Sequence, residues 1–225
     1  MFQAEIFSIL VILVIMTTLI MIANKSLRKY DSKDKPKGIV LYAISYVDAI
    51  LAITVPVMGE KRGRAMATYI GAVFMYILLA NWSGLLGLKN PTANYSVTLA
   101  LALVTWIAIQ VTKIRSHGIK GYIADFFKPF FFFFIPNIFS TLAPLISLSL
   151  RMFGNVVSGT IIMTMLYSFT GWLSGSVPIL GNFDFIGIFV APWLHLYFDI
   201  FSGFLQAFLF VSLTTIFIAI EYKED

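Results

Sequence analysis

Long apolar stretches separated by short basic ones organise this chain. The first covers residues 6–23 without a charge, and two more cover residues 65–88 and 95–112. A bilayer core about 30 Å thick needs about 20 mostly apolar residues in a helix. These stretches therefore predict three membrane-crossing helices. The first lacks the basic start and small-residue cleavage site of a signal peptide, so we expect it to be retained.

Two later apolar stretches are too long for one perpendicular crossing. Residues 129–171 carry a single charge, Arg151, and residues 183–220 carry only Asp184 and Asp199. At about 1.5 Å per residue, each helix would be nearly twice as long as the bilayer is thick. Splitting the first one would place a turn near Arg151, where no basic loop occurs. We therefore expect two long, tilted helices that form a hairpin.

Residues 39–58 could cross the membrane by their apolarity, but Asp48, Pro56 and basic flanks argue against it. Five crossings with the N-terminus outside and the C-terminus in the cytoplasm put all but two of the 16 lysines and arginines, Lys89 and Arg151, on the cytoplasmic side. This asymmetry is what the positive-inside rule favours. The predicted fold is therefore a single all-α, polytopic membrane domain with five membrane-embedded helices and one interfacial amphipathic helix.

Composition agrees with this interpretation. Hydrophobic residues make up 59% of the chain and charged residues 12%, whereas soluble domains average about 25% charged residues. The chain has no cysteine and only two, widely separated histidines, which excludes a disulfide scaffold and argues against a metal site or cofactor. Topology explains the net charge of +5 without a nucleic-acid partner.

Arg151 is the unusual residue, because it lies mid-helix in hydrocarbon and stays protonated in proteins. The cost is about 2.5–3.5 kcal/mol on insertion scales and about 10–17 kcal/mol in simulations. Small Gly154 and Gly159 would let another helix approach. Polar side chains repeat at helical spacing in both long helices: Ser140, Ser147, Arg151, Asn155 and Ser158 in the first, and His195, Asp199, Ser202 and Gln206 in the second.

Two interpretations of these stripes remain open. In the structural one, Arg151 and Asp199 form a closed ion pair that holds a membrane scaffold together. In the functional one, Asp199 and His195 carry protons and Arg151 acts on another carboxylate. A stand-alone ion transporter would usually show related halves, which are not found here. An intramembrane hydrolase would need a base beside a nucleophile, but Ser202 lies two turns from His195.

Three segments carry a family resemblance. The segment Ser147-Leu-Ser-Leu-Arg-Met-Phe-Gly-Asn155 resembles the signature of the a subunit of F-type ATP synthases. So do Pro91-Thr-Ala-Asn-Tyr-Ser-Val-Thr-Leu99 and Leu205-Gln-Ala-Phe-Leu-Phe-Val-Ser-Leu-Thr214. The three motifs occur in the family's order and spacing and are together highly specific.

The resemblance implies a proton-translocating stator subunit of the F0 sector in a bacterial cell membrane. Such a subunit lies against the c-ring, supplies two offset half-channels and assembles with peripheral-stalk b subunits and the other ATP synthase subunits. Arg151 would be the family's fixed arginine, with Asn155 and Gln206 beside it. The chain itself is expected to catalyse no covalent reaction, since it contains no phosphate-binding loop.

The chain departs from the family at Thr160, Asn94 and Asn137, where other members often carry ionisable residues. We therefore expect Asp199 and His195 to carry the proton in the outer half-channel, with Asp184 near its mouth. The resemblance places Ser140 and Ser147 on the cytoplasmic path, with Asn137 nearby. The choice between H⁺ and Na⁺ is expected to be made largely on the ring subunit.

Overall fold

A computed structural model describes residues 2–31, 35–176 and 184–222, and all regular structure in these ranges is helical. The helices are α1 (Phe2–Leu27), α2 (Ile39–Met58), α3 (Glu60–Trp82), α4 (Tyr95–Asp125), α5 (Phe134–Gly175), α6 (Phe185–His195) and α7 (Ser202–Ile220). The π-helical segment Leu196–Phe201 joins α6 to α7 without a break. The predicted helix start at Phe183, and the basic residues Lys33 and Lys223, lie outside the described residues.

Six helical stretches in the described ranges are long and apolar enough to cross a membrane, with α6, the π segment and α7 counted as one. This confirms the prediction of an all-α polytopic membrane protein. The tilt of the long helices stays a prediction, as does the interfacial position of the stretch that becomes α2.

The hairpin of α2 and α3 turns at a single glycine. Gly59 adopts φ 79°, a left-handed conformation that side chains other than glycine's rarely tolerate. The hydroxyl of Tyr46 donates to the carbonyl of Gly71 at 2.6 Å, so α2 stays against α3 for about three turns. Nearer the turn, Gly63 meets the backbone of Val55 so closely that a Cβ there would lie 2.8 Å from the Val55 Cα.

The basic stretch at residues 113–128, which follows the third apolar one, was expected to be a loop. That prediction is wrong for most of its length, because α4 continues to Asp125. Lysine and arginine are good helix formers, so the end of the apolar run marks a membrane boundary and not a helix end. Gly118 interrupts the extension with φ 71° and ψ 164°. The ammonium of Lys113 lies 3.5 Å from a carboxylate oxygen of Glu221, which holds the extension against the end of α7.

The long hairpin forms as predicted, although α5 begins at Phe134, after a 3₁₀ turn at Phe131–Phe133. Side-chain hydrogen bonds join its two arms at three levels: Thr170 to Asp184, Tyr167 to His195, and Ser202 to Asn155. The partners descend α5 as they ascend α6 and α7, so the arms are antiparallel. The 42 residues of α5 span about 63 Å, roughly twice a bilayer core.

The main core lies where α3, α4, α5 and α7 meet, and α2 contributes at its edge. Its fully buried members are Ile50, Ile70, Ile77, Ala102, Leu148, Met152, Ala207, Phe210 and Val211. Leu148 and Met152 come from the same part of α5 as Arg151. The buried face of that helix therefore fixes its rotation and leaves the arginine at the edge of the core.

We expect Gly63→Ala to destabilise the protein by about 1–3 kcal/mol, because the new methyl group has only backbone to displace. Gly154→Ala is the matched control. A Cβ there meets nothing within 4 Å, so alanine should leave stability unchanged or raise it by about 0.5–1 kcal/mol. Thermal unfolding of the full chain in detergent measures both. Equal midpoints for the two variants would contradict the close α2–α3 contact.

Candidate ion-translocation site

Arg151 lies half-buried near the middle of α5. Its Nη2 donates one long hydrogen bond, 3.3 Å, to the hydroxyl of Ser147 one turn earlier. Within residues 2–31, 35–176 and 184–222, no carboxylate oxygen lies within 4.0 Å of the guanidinium. A permanent charge with several donors thus has one neutral partner in the part of the chain that the structure describes.

The Arg151–Asp199 ion pair, one of the two interpretations that the sequence left open, is not formed. The Oδ2 of Asp199 instead lies 2.6 Å from Nδ1 of His195. The physical reason is the register of the hairpin. Because Ser202 faces Asn155 at 2.9 Å, antiparallel counting places Asp199 about seven residues, or about 10 Å, from the level of Arg151.

Gln206 is the residue that this register places level with Arg151. Its side chain is 5% exposed, and its Nε2 has no hydrogen-bond partner in the described ranges. A buried amide left unpaired costs about 1–3 kcal/mol. Asn155 lies one turn from Arg151 on α5, and Ser202 orients its amide by donating to its Oδ1. That these amides act beside the arginine stays a prediction.

His195 bridges Asp199 to a residue that the sequence analysis missed, Tyr167. The hydroxyl oxygen of Tyr167 lies 2.7 Å from Nε2 of His195. A neutral imidazole has one N–H and one acceptor nitrogen. If Asp199 is ionised, Nδ1 must be the donor, so Nε2 accepts from the tyrosine. The detectable signal was the spacing of Thr160, Thr164 and Tyr167, four and three residues apart, which places all three on one face of α5.

These groups open into a large cavity of about 440 Å³ between α5, the π segment and the α3–α4 connection. Its lining comprises Asn81, Gly84, Lys89, Asn90, Ala93, Asn155, Val156, Gly159, Thr160, Met163, Thr164, Tyr167, His195, Phe198, Asp199 and Gly203. Thr160 donates its hydroxyl to the Val156 carbonyl at 2.9 Å. Gly159 packs against Phe198, as its size suggested, whereas Gly154 has no such neighbour among the described residues.

A small cavity of about 80 Å³ lies on the other side of Arg151 along α5. Ser140, Asn137 and Thr141 line it, together with Lys113 and Asp125 of α4. The amide of Asn137 lies 2.9–3.2 Å from three carbonyls at the end of α4, so it also closes that helix end. Asn155 and Thr141, the members of the two cavities nearest Arg151, are about 21 Å apart along α5.

Two side chains of α3 hold the π segment where it passes into α7. Asn81 Nδ2 donates to the Gly203 carbonyl at 3.0 Å, and Trp82 Nε1 donates to the Ile200 carbonyl at 3.2 Å. The Thr92 hydroxyl lies 2.9 Å from Asn81 Oδ1 and orients this amide. We call Asn81 and Trp82 the α3 clamp. An amide in an otherwise apolar span was the sequence signal that could have revealed it.

Asp184 lies apart from the other expected site residues, at the start of α6 and outside the lining of the large cavity. Its carboxylate accepts from the Thr170 hydroxyl at 2.7 Å, the Gly187 amide at 2.8 Å and the Ser174 hydroxyl at 3.0 Å. Hydrogen bonds from Thr170 and then Gly187 hold the pKa of this carboxyl below its ordinary value of 3.8. Asp184 therefore caps α6 and fastens it to α5.

Fold and site together define a polytopic helical membrane protein whose central arginine, in the described ranges, meets no carboxylate and lies between two polar cavities. The chain belongs to the ATP synthase A chain family, whose pattern matches residues 6–219. This match confirms the resemblance found in the three motifs.

Curated relatives support the assignment. The chain is similar to ATP synthase subunit a of Mycoplasma genitalium, with 34% identity over 93% of this chain and 76% of that protein. Subunit a of Mycoplasmoides gallisepticum is 32% identical, over 93% and 75%. A sodium-ion-specific subunit a from Propionigenium modestum is 32% identical, over 70% of this chain and 56% of its own length.

We expect acid to weaken the attachment of the start of α6 to α5. Because the folded pKa of Asp184 is lowered, its stabilising contribution is complete above the ordinary value of 3.8 and is lost as the pH falls through the folded value. Hydrogen exchange at the Gly187 amide measures this between about pH 5 and about pH 2. Asp184→Ala should exchange faster at every pH.

Asp184→Asn is the control, since asparagine keeps a capping oxygen and does not titrate. It should abolish the acid-dependent part of Gly187 protection while retaining some protection. The same acid dependence in Asp184→Asn as in the unmodified chain would show that another group is responsible.

Proposed function

We propose that this chain is the proton-translocating stator subunit of a rotary F-type ATP synthase. The observation that carries the proposal is Arg151, a permanent positive charge whose one partner among the described residues is a serine hydroxyl. Such a charge in hydrocarbon calls for a carboxylate from outside the chain. Family membership and relatives named ATP synthase subunit a support the same conclusion.

The c-ring is the proposed source of that carboxylate. Apolar side chains on both arms of the long hairpin are exposed near the level of Arg151. On α5, Ile146 and Leu150 are 50% and 51% exposed, and on α7, Phe204 and Phe208 are 45% and 40% exposed. A ring of apolar helices could roll along this surface. The b subunits and the other ATP synthase subunits would complete the complex.

At Arg151, an ionised ring carboxylate would find a favourable partner. A nearby positive charge stabilises the ionised form and lowers the pKa of a carboxyl group. Gln206, level with Arg151, and Asn155, one turn further along α5, offer neutral amides, so the carboxylate could approach and leave the arginine among polar groups. The same fixed charge would repel a proton moving directly between the two cavities.

The two cavities are the proposed half-channels. A proton would enter from outside through the large cavity, pass His195 and Asp199, and neutralise a ring carboxylate. The neutral carboxyl can then rotate through lipid, where an ionised one is costly. After nearly a full turn it would release its proton toward Ser147, Ser140 and the small cavity beside Asn137. Asp184 would contribute a fixed negative charge and would not itself carry protons.

Protons suit the large cavity better than sodium ions do. Hard cations bind oxygen ligands, whereas the central group here is an imidazole with a nitrogen toward each neighbour. The relative from Propionigenium modestum is named as sodium-specific, so both ions occur in the family. Histidine in the entry path is a reason to assign H⁺ to this chain.

The proposed orientation of the chain in the membrane rests on the distribution of its charged residues. The ends of α4 and α7 carry Lys113, Asp125 and Glu221 beside the small cavity. Together with the basic segments near residues 25–37 and 61–64, this end is the proposed cytoplasmic side of a bacterial cell membrane. Lys89 and the mouth of the large cavity would face outside, as would the N-terminus.

We expect Arg151→Ala to abolish coupled proton pumping while the complex still assembles. The measurement is ATP-driven acidification of inverted vesicles that contain the complete synthase. Arg115→Ala is the matched control, since Arg115 is exposed on the extension of α4 and should be dispensable. Pumping by Arg151→Ala at the rate of Arg115→Ala would disprove the assigned role.

Asp199→Asn should slow proton flux by at least about tenfold, because loss of a positioned acid–base group typically costs about 100-fold or more and cavity water can replace part of it. Thr160→Ala should stay near the normal rate, since its hydroxyl donates to its own helix. Potential-driven flux through F1-stripped vesicles measures both. Normal flux in Asp199→Asn combined with poor assembly would instead indicate a structural role for that residue.

A further inference from the structure

We propose that Tyr167 is part of the proton path and passes protons between cavity water and His195. This inference rests on the proposed function. It adds a residue on α5 to a path otherwise carried by α6 and the π segment. Tyr167 would orient His195 and also relay protons to it.

The contact distances support a continuous relay. Tyr167 Oη lies 2.7 Å from His195 Nε2, and His195 Nδ1 lies 2.6 Å from Asp199 Oδ2. Both are at the short end of the range for protein hydrogen bonds. The tyrosine is 46% exposed, and the histidine and aspartate side chains are 44% and 38% exposed. Each group can therefore reach both its neighbour and the contents of the large cavity.

Other hydroxyls of α5 in the cavity are unavailable as donors to His195. Thr160 donates to the Val156 carbonyl at 2.9 Å, and Thr164 donates to the Thr160 carbonyl at 2.8 Å. The remaining charged group in the lining is Lys89, whose ammonium lies 3.2 Å from a carboxylate oxygen of Glu5. His195 is thus faced by Asp199 on its own helix, by Tyr167 from α5 and, across the cavity, by a lysine that is already paired.

The proton count balances at each step. Water places a proton on Tyr167 Oη as the original hydroxyl proton moves to His195 Nε2, which leaves a neutral tyrosine and an imidazolium. The Nδ1 proton then moves to Asp199 Oδ2, giving a neutral imidazole and a carboxylic acid. The acid releases its proton toward the ring. At this point the imidazole carries its proton on Nε2 and Asp199 is ionised. The starting tautomer returns when the Nε2 proton passes back through the tyrosine oxygen to cavity water and a second cavity proton reaches Nδ1 through the carboxylate of Asp199, which is 38% exposed. This reset gains one proton and loses one, so the whole cycle moves one proton from the cavity to the ring.

All of these steps are reversible, so the direction of net transfer depends on which side supplies the proton. Under a proton-motive force the outer side supplies it, so each group must be able to donate in one half-cycle and accept in the other. Tyrosine, neutral imidazole and a carboxylic acid can each donate and accept a proton, whereas phenylalanine can do neither. Substitution of Tyr167 by phenylalanine keeps the ring and removes only the relay atom.

The test is potential-driven proton flux through F1-stripped vesicles that contain the assembled membrane sector. Tyr167→Phe should reduce the flux about tenfold, less than a typical acid–base residue because water can bridge part of the gap. Tyr197→Phe is the matched control. Tyr197 is 54% exposed, close to His195 in sequence, and its hydroxyl has no hydrogen bond in the described ranges. Equal flux in the two variants would overturn the proposal.

Non-additivity distinguishes a relay from a general packing effect. In a His195→Ala background, Tyr167→Phe should cause no further loss, since the tyrosine would have no group to serve. A full additional loss in the double variant would also overturn the proposal. Absence of flux in the unmodified sector would instead defeat the proposed function.

A spectroscopic measurement does not depend on transport. The chain has only two histidines, so ¹⁵N spectra of the full chain in lipid with labelled histidine contain two imidazoles. In the unmodified chain His195 should be the Nδ1–H tautomer with a hydrogen-bonded Nε2. Tyr167→Phe should shift the Nε2 resonance, and Tyr197→Phe should not. An Nε2–H tautomer in the unmodified chain, or no shift in Tyr167→Phe, would overturn the proposal even if a variant failed to assemble.

Discussion

A guanidinium that keeps its proton cannot lower its energy in a membrane by neutralisation. It needs water, polar groups or an opposite charge, and the hairpin supplies only part of this. Ser147 gives one hydrogen bond, while the register of α5 against α7 keeps Asp199 away and engages it with His195. Among the described residues, Arg151 therefore has no carboxylate partner, and its charge remains available to the ring carboxylate that we propose.

Much of this architecture could be predicted from the sequence, because hydrophobic length and charge asymmetry follow directly from the bilayer. The long hairpin and the position of Arg151 inside an apolar helix could be predicted in this way. The extension of α4 to Asp125 could not, since helix formation continues where apolarity stops. Whether Arg151 pairs with Asp199 could not be decided, because periodicity shows which face a residue occupies on its own helix and not its level on the neighbouring one.

The site residues that escaped prediction all act across helices. Tyr167 meets His195 across the hairpin, and the α3 clamp reaches carbonyls more than a hundred positions later in the chain. Asp184 has a structural role that the sequence could also have suggested. Aspartate before a helix is a preferred N-cap, and this carboxylate accepts from the Gly187 amide of α6 and from two hydroxyls of α5.

The α3 clamp holds the π segment by its backbone, since both of its acceptors are main-chain carbonyls, those of Ile200 and Gly203. Hydrogen bonds to main-chain carbonyls do not depend on which side chains lie between α6 and α7. Mutations can therefore exchange the groups at positions such as His195 and Asp199 while the path of the chain stays the same. Substitutions at these positions could therefore change the chemistry of the large cavity without first rebuilding the scaffold.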